Sequence, residues 1–339
     1  MKKIFIIAEV GPNHNGSMYL AKRFIDKISK TGADAVKFQL ANPNKVYSKE
    51  AFKADYQKKN DSSKTIKEMS KKFQLSKKNH LELSKYCKKK KIIYLCSAFD
   101  LESLRYLVNN LKIPIIKIPS GEILSLDILR FASKFKGKII LSTGMSTLKD
   151  IRKSLDILKK KNTTLLHCVS LYPTTLNKVN LNNINLLKSK FKLDVGFSDH
   201  TKGELASLTA TSMGITVLEK HVTLSNRMVG PDHKSSIEIE KFSRLVKKIR
   251  IIEKIMGSNF RSITNEEKKI KDCARKSLVA KTFLPKGLRL QNKHITFKRP
   301  GTGISPADLK FYIGKKIIKA IKKDFLLKKE NFKIRKTYA

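Results

Sequence analysis

The sequence predicts an α/β fold: a (β/α)8 barrel of the TIM type followed by a small mainly-β domain. Three observations carry that expectation. Short, β-branched apolar runs alternate with amphipathic, lysine-rich stretches, and about eight such runs precede residue 225. Strand and helix in regular alternation require a parallel sheet, because the helix makes the crossover, and about eight repeats is where such a sheet closes. From about residue 278 the pattern changes to short strand-like pieces joined by turns.

The strand-like runs cover residues 4–10, 35–40, 92–99, 115–119, 138–143, 164–169, 194–198 and 216–222. Helix-like segments lie between them at 17–31, 77–90, 101–111, 148–160 and 203–213, and 42–76 reads as an inserted excursion. A doubly wound open sheet is the alternative, but EVGPNHNG after the first run lacks the glycine-rich phosphate turn of that fold. Residues 238–256 read as a closing helix, with Phe242, Leu245, Val246, Ile249 and Ile252 on one face. These patterns divide the chain into a barrel (1–260), a polar linker (261–277) and a small domain (278–339).

Composition excludes several classes. Apolar residues make up 40% of the 339, enough for a substantial core. No apolar stretch approaches the length of a membrane span. The opening apolar run stops at Glu9 with no small-residue cleavage site behind it, so it reads as a first strand and not a secretion leader. Cys87, Cys96, Cys168 and Cys273 show no paired spacing, which suits reduced thiols and a cytoplasmic location. The net charge of +45 raises the question of nucleic acid. The lysines run along the whole chain with no interleaved aromatic motif, so solvated helix faces are expected, with neither nucleic acid nor membrane as partner.

The chemistry gathers where a barrel builds its active sites, at the C-terminal ends of the strands. Glu9 ends the first run, Lys37 and Gln39 the second, and Ser97 the third. Lys117, Ser120 and Glu122 lie at and beyond the fourth, Ser142 and Thr143 end the fifth, and His167 sits in the sixth. Ser198, Asp199 and His200 follow the seventh, with Glu219, Lys220 and His221 at the eighth. A single polar residue in a strand is usually a satisfied core group; a ring of them on one rim is not.

His200 and His221 end adjacent runs, and two imidazoles with open positions beside them suit a divalent Lewis acid. His167, inside LLHC, reads as structural, while His80 and His294 read as surface residues. Lys37 and Lys117 interrupt apolar strands, and a buried ammonium needs an anion. They either pair with Glu9 or Glu122, grip a phosphate together with Ser97, Ser120 and Ser142, or offer a Schiff-base amine.

In order and spacing, EVGPNHNGS, AVKFQ, KIPSGE, ILSTGM, LLHCVSLYPT, GFSDHT, EKHVTL and GPDHKSS resemble the motifs of N-acetylneuraminate (sialic acid) synthases. The segment ARKSLVAK…KGLRL…KRPGTGISP resembles that family's C-terminal antifreeze-like (SAF) domain. The likeness spans essentially the whole chain. It implies metal-assisted condensation of phosphoenolpyruvate with an N-acylated mannosamine-type sugar, releasing phosphate by C–O cleavage. N-acetylmannosamine stands first as acceptor, and the 2,4-diacetamido-2,4,6-trideoxy sugars of legionaminate and pseudaminate second.

Carried over position by position, the resemblance implies a divalent ion, manganese before magnesium or cobalt, on His200 and His221. Lys37, Ser97, Lys117, Ser120 and Ser142 would hold phosphoenolpyruvate. Glu9, Gln39, Tyr172 and Asp232 would surround the sugar, with Ser198 beside them and Glu122 near the reacting carbons. Glu9, Glu122 and Lys117 are the expected catalytic residues. Arg299 of KRPGTG matches an arginine given to a partner's barrel, which implies a domain-swapped homodimer. Three departures bear on the sugar site: Ser170 stands where many members have Asn, CSAF replaces STPF, and TLSNRM lacks an acidic residue.

Overall fold

The structure, a computed structural model, describes residues 3–159, 162–258 and 260–333, and for Tyr56 the backbone alone. Eight parallel strands follow one another around a closed barrel: β1 Phe5–Glu9, β2 Ala35–Leu40, β3 Ile93–Ala98, β4 Ile115–Ile118, β5 Lys138–Ser142, β6 Thr163–Cys168, β7 Val195–Asp199 and β8 Val217–Thr223. Closure is made by β1 pairing with β8, in a register that sets Glu9 beside His221. Each strand agrees with its sequence-predicted run to within about a residue at either end.

Side-chain alternation along each strand sorts the residues into two layers. One face turns into the barrel, where Ile7, Ala35, Leu95, Ile115, Ile140 and Val217 fill the interior with a small apolar plug. The other face meets the helices, and Ile6, Val36, Cys96, Ile116, Ile139 and Leu218 belong to the large core between strands and helices. Polar residues on the inward face therefore collect above the plug, at the strands' C-terminal ends.

Several helices begin where their sequences announce it. The Ser17 side chain caps Met18–Ile28, Asp100 caps Leu101–Asn109, and Thr147 with Asp150 caps Leu148–Leu158. Two helices, Leu126–Ala132 and Asn182–Phe191, were not read from the sequence; neither has a side-chain cap bond at its start. The excursion holds three short helices, Pro43–Val46, Asp55–Asn60 and Ile66–Phe73. It has its own apolar knot of Ile66, Met69 and Phe73 packed with Tyr47 and Ala51. Buried Lys53 locks it, donating to Asp61 Oδ1 at 3.2 Å, to the Asp61 carbonyl at 2.6 Å and to that of Ser63 at 3.0 Å. Asn60 ties it to the barrel by donating to the Pro231 carbonyl at 3.1 Å.

The chain divides into two compact units, residues 1–257 and 258–339. Within the second, the stretch expected to be a linker contains a helix, Asn265–Ala274, started by a Thr264–Glu267 capping box and exposed along its whole length. An antiparallel pair, Ser277–Ala280 with Ile295–Lys298, follows and covers a small core built on Leu278, Leu284, Leu290, Ile317 and Leu327. Among the described residues no helix is long and apolar enough to cross a membrane.

Candidate active site

Above the apolar plug lies a buried cluster of four charged side chains. Lys37 Nζ stands 2.9 Å from Glu219 and 3.4 Å from Glu9, and Lys117 Nζ is 3.7 Å from Glu219. None of the four is more than 4% exposed. Hydroxyls complete the lysines' shells: Lys37 donates to Ser97 Oγ at 3.1 Å and Lys117 to Ser142 Oγ at 2.7 Å. Ser198 donates to Glu219 at 2.9 Å, and Gln39 holds Glu9 Oε1 at 2.8 Å. The sequence placed Lys37 against Glu9 or Glu122; its nearer partner is Glu219. That carboxylate stood in the rim ring but outside the expected site. Its signal was register, since Ser198 and Glu219 are direct neighbours across β7 and β8.

Burial and pairing push these groups apart. Desolvation raises the Glu9 carboxyl to about 7 against the pull of Lys37. Desolvation also lowers the Lys117 ammonium to about 8 despite Glu219. Burial opposes the charge on Glu219 and Lys37 as well, but there the opposite charges outweigh it. Glu219 stays well below the usual carboxylate range and Lys37 above the usual lysine value. Burial works against the negative charge of Glu9, so the two lysines face one firmly ionised carboxylate and one weakened one. The cluster is biased positive and hydroxyl-lined, which suits a small anion.

Beside it stand the paired histidines. The His200 and His221 rings lie 5.5 Å apart between centroids, and Tyr172 packs on both, 4.2 Å from His200 and 5.6 Å from His221. His200 Nδ1 donates to the Val169 carbonyl at 2.7 Å, which leaves its Nε2 as the lone-pair nitrogen, 3.4 Å from Ser198 Oγ. His221 Nδ1 is buried with no hydrogen bond, and Asp232 stands 3.7 Å from it. Desolvation holds both imidazoles neutral, His200 at about 4 and His221 further down, and raises the Asp232 carboxyl to about 7.

Neutral imidazoles and an unbonded buried nitrogen are the donor chemistry a divalent ion needs. Among the described residues no group of three or more His, Cys, Asp or Glu is placed to hold a metal ion, so the two imidazoles are the donors the barrel mouth offers.

Ser120 accepts from the Gly144 amide at 3.0 Å and meets Cys168 Sγ at 3.2 Å. A Cβ on Gly144 would come within 2.3 Å of Ser170 Oγ, so this close strand-end packing needs glycine. Glu122 is half-buried on the turn after β4, bonded to Ser125 and outside the four-charge cluster. Arg299 is exposed at the end of the second unit's hairpin.

A cavity of about 210 Å³ opens beside His221. Gln39, Tyr172 and Asp232 line it from the barrel, and Tyr47, Gln57, Met69, Ser70, Phe73 and Gln74 from the excursion and its end. These excursion residues were not foreseen as site residues, although Ile66, Met69 and Phe73 carry a helical apolar spacing. His80 departs from expectation: it is fully buried, its Nδ1 2.6 Å from the Tyr94 phenol, and serves the core. His167 bonds the Val179 carbonyl at 2.7 Å and stacks on Phe197, in keeping with its structural reading.

The NeuB family matches residues 24–261 of this chain. The chain belongs to the NeuB family. Its similarity covers nine tenths or more of the length of the relatives below. It is 45% identical to the N,N'-diacetyllegionaminic acid synthase of Campylobacter jejuni, over 97% of this chain and 100% of that protein. It is 37% identical to the synthase of the same name from Legionella pneumophila, over 92% of this chain and 90% of that one. Among solved structures, a sialic acid synthetase from Leptospira borgpetersenii superposes with a TM-score of 0.72 at 32% identity, covering 79% of this chain and 90% of that one. The NeuB barrel, closed at β1–β8, thus carries the expected ring of strand-end residues in a chain whose relatives are nonulosonic acid synthases.

Proposed function

We propose that this chain condenses phosphoenolpyruvate with an open-chain N-acylated aminosugar and water, giving a nine-carbon acid and phosphate. One observation carries the reading: the lysine–hydroxyl cluster and the histidine pair share a single barrel mouth. Lys37 and Lys117, with Ser97 and Ser142, hold the phosphate and carboxylate of phosphoenolpyruvate. Gln39, Tyr172 and Asp232 seat the aldehyde end of the sugar beside the enol carbon. His200 and His221 would hold a divalent ion, manganese foremost, which would supply Lewis acidity beside the aldehyde end of the sugar. Glu9, with its carboxyl near neutrality and hydrogen-bonded by Gln39, moves protons as water adds at C2 and phosphate departs. Glu122 is the second proton carrier, at the rim.

The acceptor we assign is an uncharged 2,4-diacetamido-2,4,6-trideoxy sugar. Two relatives bear the legionaminic name, and the cavity wall supports a deoxy end. Met69, Phe73 and Phe99 offer an apolar surface for a methyl group, and Gln57 and Gln74 offer amides to acetamido groups. Among the described lining residues there is no Lys or Arg to meet a sugar phosphate. N-acetylmannosamine is the second reading, favoured by the sialic acid synthetase likeness.

Arg299 completes a partner's site in a domain-swapped homodimer, as the resemblance implies. The test is phosphate release from phosphoenolpyruvate with each sugar offered separately, with and without chelator. Metal-dependent release with the deoxy sugar supports the assignment; release with neither sugar rejects it.

A further inference from the structure

Each expected metal-binding histidine follows a residue whose side chain points the other way. At the end of β7 the order is Ser198, Asp199 and then His200 just beyond the strand, and in β8 it is Glu219, Lys220, His221. Alternation sends Ser198 and Glu219 into the barrel, where they bond each other, and sends Asp199 and Lys220 outward beneath helix Leu205–Ser212. There Lys220 Nζ donates to Asp199 Oδ2 at 2.8 Å and to the Thr201 carbonyl at 2.9 Å. Asp199 Oδ1 accepts the Thr201 amide at 2.8 Å, and Oδ2 also takes the Ser207 hydroxyl. Both side chains are no more than 2% exposed, and neither lines the substrate cavity.

A buried ion pair in an apolar layer seldom improves stability over hydrophobic residues of like size, so its presence calls for another role, and fixing register is the best attested. Here the two charged residues are direct neighbours in the β7–β8 ladder. A slip of one residue would set Lys220 among apolar side chains with no anion and turn His221 out of the barrel. Thr201, gripped by both members, is also the residue after His200, so the pair fixes the backbone on which that imidazole stands.

We infer that Asp199 and Lys220 are positioning residues that set the separation of His200 and His221 and thereby the affinity of the site for a divalent ion. This rests on the two-histidine reading given above. Residues that orient metal ligands without touching the metal typically change affinity about 10–100-fold when replaced.

The experiment measures manganese binding to the full-length protein by titration calorimetry and by the electron paramagnetic resonance of free Mn2+. Thermal melts in chelator run alongside, for wild type, D199N, K220M and D199L/K220M. D199N keeps the size of the side chain, and the double variant removes both charges so that neither is left buried alone. The expected result is manganese binding about 10–100-fold weaker in D199N and in the double variant. The metal-free double variant should melt close to wild type. Wild-type affinity in either variant overturns the inference while leaving the two-histidine site intact. A wild-type protein that binds no manganese, or binds it equally after His221→Ala, overturns that reading and the inference with it.

Discussion

Lys37 and Glu219, on strands separated by β1, meet at 2.9 Å inside the barrel, each no more than 4% exposed. Removing one member of such a pair leaves a buried charge. Lys37→Met should therefore cost about 3–5 kcal/mol of stability. Its kcat/KM for phosphoenolpyruvate should fall about 100-fold or more, since the anion loses its main cation. Denaturant melts and steady-state phosphate release check both. A variant of unchanged KM would place the anion elsewhere.

The histidine pair makes a separate prediction. Chelation should stop phosphate release and added manganese should restore it. His200→Ala and His221→Ala should each abolish manganese binding in calorimetry while the barrel still melts cooperatively. Tight binding in both variants would refute the assignment.

Acceptor choice should respond to the excursion. Phe73→Ser replaces part of the apolar wall by a hydroxyl, so the preference for the 6-deoxy sugar over N-acetylmannosamine should drop about tenfold. The measurement is the ratio of the two kcat/KM values, with the KM for phosphoenolpyruvate as control. A ratio that does not move puts the sugar's far end against other residues.

Stability should depend on pH through the carboxyls that burial holds at about 7, Glu9 and Asp232. In metal-free folded protein they keep protons that the unfolded chain has released above about pH 4. Their contribution to stability is then greatest below the unfolded value and falls as pH climbs from about 4 through about 7. The buried neutral imidazoles of His200 and His221 work in the opposite direction below about 6.5, so melts in chelator between about pH 6.5 and about 8 should show the falling midpoint, and Asp232→Asn should flatten that slope. An equal slope in that variant would exclude Asp232 as its source.

The proposed domain swap gives a complementation test. Arg299→Ala and His221→Ala, inactive alone, should regain activity when co-expressed, because a mixed dimer has one complete site. Random pairing sets the recovery at about a quarter of wild type. No recovery would mean that each chain supplies its own arginine.

Much of this was written legibly in the chain. The strands were found because β-branched runs stand out against lysine-rich helices, and the rim followed from which residue ended each run. What was missed has physical reasons. Helix Leu126–Ala132 is only seven residues long, and Asn182–Phe191 starts with neither a side-chain cap bond nor an acidic residue in its first turn. Helix Lys77–Lys89 buries only His80, Leu83 and Cys87, and a histidine among lysines gives no hint of a tyrosine partner on the next strand. Glu219 needed register, and Met69 and Phe73 needed the fold of an insertion; both are long-range facts.

The excursion that carries Met69 and Phe73 has its own apolar knot, its own Lys53–Asp61 lock and a hydrogen bond to Pro231, and it contributes nothing to the four-charge cluster. The excursion thus supplies one wall of the cavity without touching the charged cluster, while Gln39, Tyr172 and Asp232 of the barrel supply the other. On the proposed function, a change confined to this insertion would reshape the wall that meets the far end of the acceptor and leave the lysine–hydroxyl cluster as it is.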